Sequence, residues 1–445
     1  MYRDLTQGNV TKTLLLFSLP MIAGNLLQQC YNIADTLVVG QFLGSNALAA
    51  VGSAYTLMTF LTSVLLGLSM GAGALFSIYQ GQGDRDRLGR AVSNAFFLIF
   101  LITLALNACV YLWTDPILTF LQVPGDVYPL MRDYVVVIFA GLFATFLYNF
   151  FACLLRAIGN SAVPLAFLAV SALLNIALDL FFVLVIPWGV AGAALATVLS
   201  QYVAGVGIAL YTWRKCPQLR PARNQLRPQG KMLREICSLS LLTCVQQSIM
   251  NFGILLVQGL VNSFGPVIMA AFAAAVKIDS FAYMPVQDFG NAFSTFVAQN
   301  YGAGRKDRIR SGIRRAVLLA FGFCAVVSTA VILFAKPLML LFVQPQETEI
   351  LAEGVWYLQV VAAFYWGIGL LFLLYGYYRA VKRPGMSVVL TVISLGTRVA
   401  LAYLLSGPVG VTGIWAAIPI GWVLADLTGV GYYIFLQRRA AAKAR

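Results

Sequence analysis

Histidine is absent from the 445 residues, and charge is scarce: Lys, Arg, Asp and Glu together make up 10%, against 60% hydrophobic residues. Without imidazole the chain has no histidine base, proton shuttle or metal ligand. A soluble domain carries roughly 25% charged residues. A chain this poor in charge cannot cover a water-facing surface, so soluble enzymes, collagen-like chains, disordered chains and disulfide scaffolds are excluded. The seven cysteines show no CxxC or paired spacing, and six lie in apolar stretches, where a lone Cys acts as a small hydrophobe. Neither a disulfide nor a metal site is expected. With no nucleophile motif either, the chain has no equipment for enzyme chemistry.

What is present is length without charge. Ala91–Thr114, Tyr134–Leu155, Ala316–Ala335 and Gly354–Tyr378 are each free of formal charge from end to end. About 20 apolar residues cross the hydrocarbon core as a helix, and each of these runs is long enough. The first apolar run, behind Arg3 and Lys12, continues through Pro20 and Asp35 to about Gly40, which is too long for a cleaved signal and reads as a span. Breaks at Gln41–Asn46, Pro187–Gly189 and similar points give twelve spans. They fall near residues 14–40, 47–76, 91–114, 132–155, 161–186, 190–213, 235–262, 267–298, 313–343, 351–378, 384–405 and 410–437. The net charge of +14 would suggest nucleic acid in a soluble protein, but here it reports topology. Of the 30 basic residues, 26 fall on the N-terminus, alternate loops and the C-terminal end, and only Arg132 and Lys336 on the opposite side. Positive loops stay inside. The expectation is a multi-pass cell-membrane protein with both termini cytoplasmic, the bilayer as its partner and no nucleic acid.

The chain repeats itself. Gly81-Gln-Gly-Asp-Arg-Asp86-Arg87 returns as Gly302-Ala-Gly-Arg-Lys-Asp307-Arg308, and Gly189-Val-Ala-Gly192 returns as Gly410-Val-Thr-Gly413 at the same offset in the numbering. Arg156-Ala157 returns as Arg379-Ala380 at nearly that offset. A repeat of six spans preserves orientation, so the halves are parallel repeats about an axis along the membrane normal, an arrangement typical of transporters. The expected division is an N-terminal six-helix lobe (1–213), a basic linker (214–234), a C-terminal lobe (235–437) and a tail (438–445). The glycine-rich turn lacks the third glycine and the strand context of a nucleotide loop, and reads as a helix-to-helix turn.

Five acids lie within spans: Asp35, Asp179, Asp279, Asp288 and Asp426. A charge in the bilayer centre is costly and marks an ion or substrate path by default. At about 1.5 Å per residue, Asp35 lies roughly 9 Å and Asp179 roughly 12 Å below the outer ends of their spans. Thr197 reaches the Asp179 depth from the same turn, and Asn175 shares its helical face. On span 1, Gln28, Tyr31, Asn32 and Asp35 share a polar face. Such a cluster suits an oxygen-ligated cation such as Na⁺. It equally suits a proton, because burial and a second carboxylate both favour the protonated acid. The competing reading is a pair of acids that merely join helices. The repeat places Leu256 and Ala400 or Ala402 opposite Asp35 and Asp179, so the acidic site belongs to one half. The other half offers Lys277, Asp279, Asp288, Arg398 and Asp426, with Lys277–Asp279, Lys277–Asp426 and Arg398–Asp288 as candidate neutralising pairs.

Tyr31-Asn-Ile-Ala-Asp35-Thr-Leu-Val-Val-Gly40, Asn175-Ile-Ala-Leu-Asp179, the Gln80–Gly83 turn and Gly189–Gly192 resemble the multidrug and toxic compound extrusion (MATE) transporters, of the bacterial DinF-like and related branch. The resemblance implies an all-α fold of two six-helix lobes in a V around a cleft, and cation-driven export. It carries the cation site onto Asp35, Asn175, Asp179 and Thr197, with Tyr31 beside them, and H⁺ or Na⁺ as the coupling ion without further cofactor. Gln246 and Gln247 stand where some relatives carry acids in span 7. Gln28, Asn32, Tyr55, Met58, Asn149, Phe150, Gln247, Tyr283, Phe364 and Tyr365 are the candidate substrate-cleft residues. Their aromatics suit organic cations or amphiphiles through stacking and cation–π contact. A monomer is expected. The alternative is a flippase for a lipid-linked saccharide on a related scaffold. That reading would require a cationic cavity, whereas the in-span basic residues are just Lys277 and Arg398.

Overall fold

The computed structural model describes residues 4–120, 123 and 125–443, so Arg3 and Arg445 of the basic inventory lie outside the described residues. Among those residues there is no strand. In a bilayer every backbone N–H and C=O must find an internal partner, and a helix satisfies them within one segment.

Twelve long helices follow: α1 (Val10–Phe42), α2 (Ser45–Gln82), α3 (Arg85–Leu112), α4 (Tyr128–Ala157), α5 (Ala162–Leu180, extended by a wide turn at Phe181–Val185) and α6 (Gly189–Lys215). The second six are α7 (Gly230–Asn262), α8 (Pro266–Gly302), α9 (Lys306–Leu333), α10 (Thr348–Ala362 with Tyr365–Ala380, bent by 51°), α11 (Pro384–Val409) and α12 (Val411–Lys443). All twelve expected spans are present. Most helices run a few residues beyond the expected ends, and two stop clearly early. Helices α3 and α9 stop at Leu112 and Leu333, short of 114 and 343, because Trp113 and Phe334 leave the helical conformation before the short helices Thr114–Phe120 and Ala335–Met339.

The repeat is visible in the backbone. Helices α3 and α9 are both 28 residues long, and their first residues, Arg85 and Lys306, are equivalent in the repeat. The glycines that need positive φ pair in the same register: Gly44 (86°) with Gly265 (95°), and Gly83 (70°) with Gly304 (69°). Gly159 (φ 86°) has Lys382 as its counterpart, held at φ 61°, the one non-glycine with positive φ among the described residues. Left-handed backbone costs an ordinary residue about 1–2 kcal/mol. Lys382→Gly is therefore expected to raise, not lower, the melting temperature in detergent.

The chain divides into two compact units. The first comprises mainly Leu19–Cys244, and the second Gln7–Ser18, Val245–Tyr301 and Arg305–Arg445. Phe150 is the hub of the first core, with Phe96 and Phe151 at 5.3 Å, Phe76 at 5.8 Å and Phe146 at 5.9 Å between ring centroids. In the second, Trp415 stacks on Phe272 at 5.4 Å and meets Tyr357 edge-on at 5.0 Å. Within the first unit α2 and α7 approach at backbone distance: a Cβ on Gly71 would lie 2.4 Å from Ser240 Cα, and one on Gly67 2.5 Å from Cys244 Cα.

Candidate functional site: a carboxylate pair with unmet oxygens

Helix α5 carries Asn175 and Asp179 one turn apart, and both side chains are buried in the first unit. Beyond them the helix ends for a covalent reason. Pro187 has no N–H, and the residue before a proline is pushed from the α region. Ile186 accordingly sits at φ −116°, ψ 92°, and the last turn opens into a π-helical one closed by Ile186 N–H donating to Phe181 O at 2.9 Å. The wide turn is braced by Phe182 stacked on Trp188 at 5.2 Å, and Gly192 leaves room for it: a Cβ there would lie 3.0 Å from Phe182 Cβ. Such π turns cluster at functional sites.

The hydrogen bonds around Asn175 fix its orientation. Thr197 Oγ1 donates to the Ala193 carbonyl at 3.2 Å, so it accepts from Asn175 Nδ2 at 3.2 Å. The Asn175 amide oxygen is left directed elsewhere. It has no hydrogen-bond partner; nor do Asp35 Oδ1 or either oxygen of Asp179, and all four atoms are buried. The Asp35 and Asp179 carboxyls face one another closely enough to interact directly. Tyr31 bonds with Gln28 and lies within electrostatic reach of Asp35. An ionised carboxylate is acceptor-only, so this centre has acceptors in excess of donors. Each buried unmet acceptor costs about 1–3 kcal/mol. A proton or a cation among these oxygens removes that cost.

One residue of this site is invisible to sequence reasoning. Tyr134 of α4 is buried and lies within electrostatic reach of Asp35, Asp179 and Tyr31. It opens a charge-free run and nothing in its neighbours distinguishes it. Its approach depends on the packing of α4, which no local pattern encodes.

The other candidate residues scatter. Tyr55 and Phe364 are exposed, while Gln28, Asn32, Met58 and Tyr283 are partly buried. Asn149 Nδ2 donates to Thr145 O at 2.9 Å within its own helix. Phe150, Gln247 and Tyr365 are buried, and Phe150 belongs to the phenylalanine core. Tyr365 lies within electrostatic reach of Asp279, which accepts from Tyr357 Oη at 3.2 Å and is in turn within electrostatic reach of Arg398. Asp279 is thus grouped with Arg398 and two tyrosines. The expected partner Lys277 is exposed and stands 6.0 Å from the centroid of the Phe342 ring. Asp288 is buried lower on the same helix. Asp426 is buried with neither carboxyl oxygen hydrogen-bonded, and its Oδ2 would lie 3.6 Å from a Cβ on Gly367. No group of three or more His, Cys, Asp and Glu side chains able to hold a metal occurs among the described residues.

Known proteins share both the sequence and the architecture. The MatE family model matches twice, over residues 20–181 and 243–404, the two halves of the repeat. The probable multidrug resistance protein YpnP of Bacillus subtilis is 30% identical over 438 residues, covering 98% of both chains. The FAD transporter of Shewanella oneidensis is 26% identical, over 98% of this chain and 96% of its own. The structure of a MOP superfamily transporter from Pyrococcus furiosus, described as having a binding pocket of reversed polarity, superposes with a TM-score of 0.92. It is 22% identical and covers 99% of this chain and 98% of its own, a likeness of fold. With twelve helices in two six-helix repeats and both repeats matched by the family model, the chain belongs to the MatE family of multidrug and toxic compound extrusion transporters.

Proposed function

We propose that this protein exports small organic cations or amphiphiles across the cell membrane by cation antiport, with both termini cytoplasmic and a single chain as the working unit. The observation that carries the coupling mechanism is the set of four buried oxygens on Asp35, Asn175 and Asp179 that lack donors. An external H⁺ or Na⁺ would bind there, Thr197 holding the Asn175 amide with its oxygen free. Binding removes one negative charge from the carboxyl pair and lets α1, which contains Pro20, bend towards its neighbours. Alternating access then couples the two fluxes, and by reciprocity cation and substrate must lower each other's affinity by the same factor. The names of the relatives support a drug-like or cofactor-like cargo. The relatives are transporters, which supports a cargo that leaves chemically unchanged.

The test is efflux from proteoliposomes loaded with a cationic dye, with a pH gradient and a Na⁺ gradient imposed separately. Dye movement under one gradient and not the other names the ion. Dye retention under both gradients would overturn the antiport reading.

A further inference from the structure

One face distinguishes the two repeats. In the first half, the basic end of α3 is covered by the linker. Gln225 Nε2 donates to Asp86 Oδ1 at 3.0 Å, Ser93 Oγ donates to Gln225 O at 2.6 Å, and Gln229 N–H donates to Asn94 Oδ1 at 3.0 Å. Gly89 is what admits the linker, since a Cβ there would lie 2.2 Å from Gln225 Oε1. Two of the three arginines on this end have acids of their own: Arg87 pairs with Asp84 at 3.3 Å and Arg90 with Asp86 at 2.8 Å. The Gln225 amide and the Arg90 guanidinium together hold the Asp86 carboxyl below the usual carboxylate range.

In the register of the repeat, the linker-binding residues Asp86, Gly89, Ser93 and Asn94 become Asp307, Arg310, Arg314 and Arg315 on α9. The small residues that accept the linker are replaced by three arginines. The segment preceding α1 meets this helix at Arg308, whose guanidinium donates to the carbonyls of Gln7 and Gly8. Arg310, Arg314 and Arg315 reach the surface, and none enters a hydrogen bond or ion pair among the described residues. With Asp307, Ser311 and Leu318 they line an open groove of about 310 Å³. The groove is amphiphilic along the helix. Its guanidinium and hydroxyl groups lie in the first three turns, and Leu318, 65% exposed, lies one turn deeper into the apolar part of α9.

We infer that this groove binds the phosphate headgroup of an anionic phospholipid, with Leu318 against the start of an acyl chain. Arginine forks match phosphate oxygens with paired hydrogen bonds, and Asp307 contributes a single opposing charge, so the groove is net positive. On the orientation proposed above the leaflet is cytoplasmic; the site itself does not depend on the transport mechanism. Basic residues at that surface attract anionic lipid in any membrane protein, so the test must separate a built site from general charge.

Full-length protein is purified, exposed to mixed phosphatidylglycerol and phosphatidylcholine, and the retained lipids are counted by native mass spectrometry. Wild type should retain phosphatidylglycerol in preference to phosphatidylcholine. In the triple variant Arg310→Gln, Arg314→Gln, Arg315→Gln, retention should fall by about fivefold or more. A control removing equal charge from the end of α6 and the linker, Arg214→Gln, Arg223→Gln, Arg227→Gln, should retain lipid as wild type does. Equal loss in both triples, unchanged retention in the first, or equal retention of phosphatidylcholine would overturn the inference. Displacement of the lipid by millimolar inorganic phosphate would assign the groove to free phosphate and overturn it as well. Because the three arginines reach the surface, both triples should melt as wild type does, and that measurement accompanies the count.

Discussion

Reconstituted protein carrying Asp179→Asn is expected to lose gradient-driven efflux by about tenfold or more, as is Asp35→Asn, while both express and melt at least as well as wild type. The direction of each effect follows from the same oxygens. An amide keeps the volume of the carboxyl but can neither ionise nor release a proton, so the cation-binding step is lost. It also brings two N–H donors into a group of acceptors that have none, and each satisfied acceptor recovers about 1–3 kcal/mol. Loss of transport with raised thermal stability is the signature of a functional site held at a cost to the fold. Had the acids merely joined helices, their amides would transport normally. Full efflux by Asp35→Asn or Asp179→Asn would remove the carboxyl pair from the mechanism.

The second large effect is expected at Gly71, and it is one of folding. A side chain there meets backbone: Ser240 Cα at 2.4 Å, Leu239 O at 2.6 Å and Ser240 N at 2.7 Å from the added Cβ. Backbone cannot rotate aside as a side-chain end can, so Gly71→Val must push α2 and α7 apart. Overpacking of this kind costs about 1–3 kcal/mol even where side chains yield. The variant should melt well below wild type and elute heterogeneously from a sizing column. Gly322→Val is the control, because nothing lies within 4 Å of the position its Cβ would take. Equal melting of the two variants would show that the α2–α7 approach is not a constraint.

Much of the architecture was legible because the bilayer leaves few choices. The span count follows from charge-free length, and the internal repeat from glycines whose φ no other residue adopts cheaply. The carboxyl cluster was legible for a related reason: an acid stands out where the surrounding residues are apolar. Depth along a helix at fixed rise placed Asp179 and Thr197 level, and the Asn175–Thr197 hydrogen bond is the contact that reasoning implies. What stayed hidden is whatever depends on the rotation of one helix against another. Tyr134 and Phe150 lie in the same charge-free run, yet one approaches the acids and the other fills the core. Lys277 and Asp279 are two positions apart, so they point to different faces, which defeats the pairing suggested by sequence proximity. The π turn beyond Asp179 was half legible, in that Pro187 announces a helix end but not its width. Gly67-Leu-Ser-Met-Gly71 was a readable signal for close helix contact.

The composition of the two units has a historical implication. The start of α1, Gln7–Ser18, belongs to the unit otherwise made from the second half, and the start of α7, up to Cys244, belongs to the unit made from the first. Each half thus lends the other the opening turns of its own first helix. Reciprocal exchange of identical elements is how domain-swapped homodimers are held. A six-span ancestor pairing in parallel would trade its arms in this manner, and joining the two copies by a linker would turn an equilibrium between chains into a single molecule. The linker that joins the copies docks against Asp86, Ser93 and Asn94 of α3, and the matching segment of the first copy, at Gln7 and Gly8, docks against Arg308 of α9.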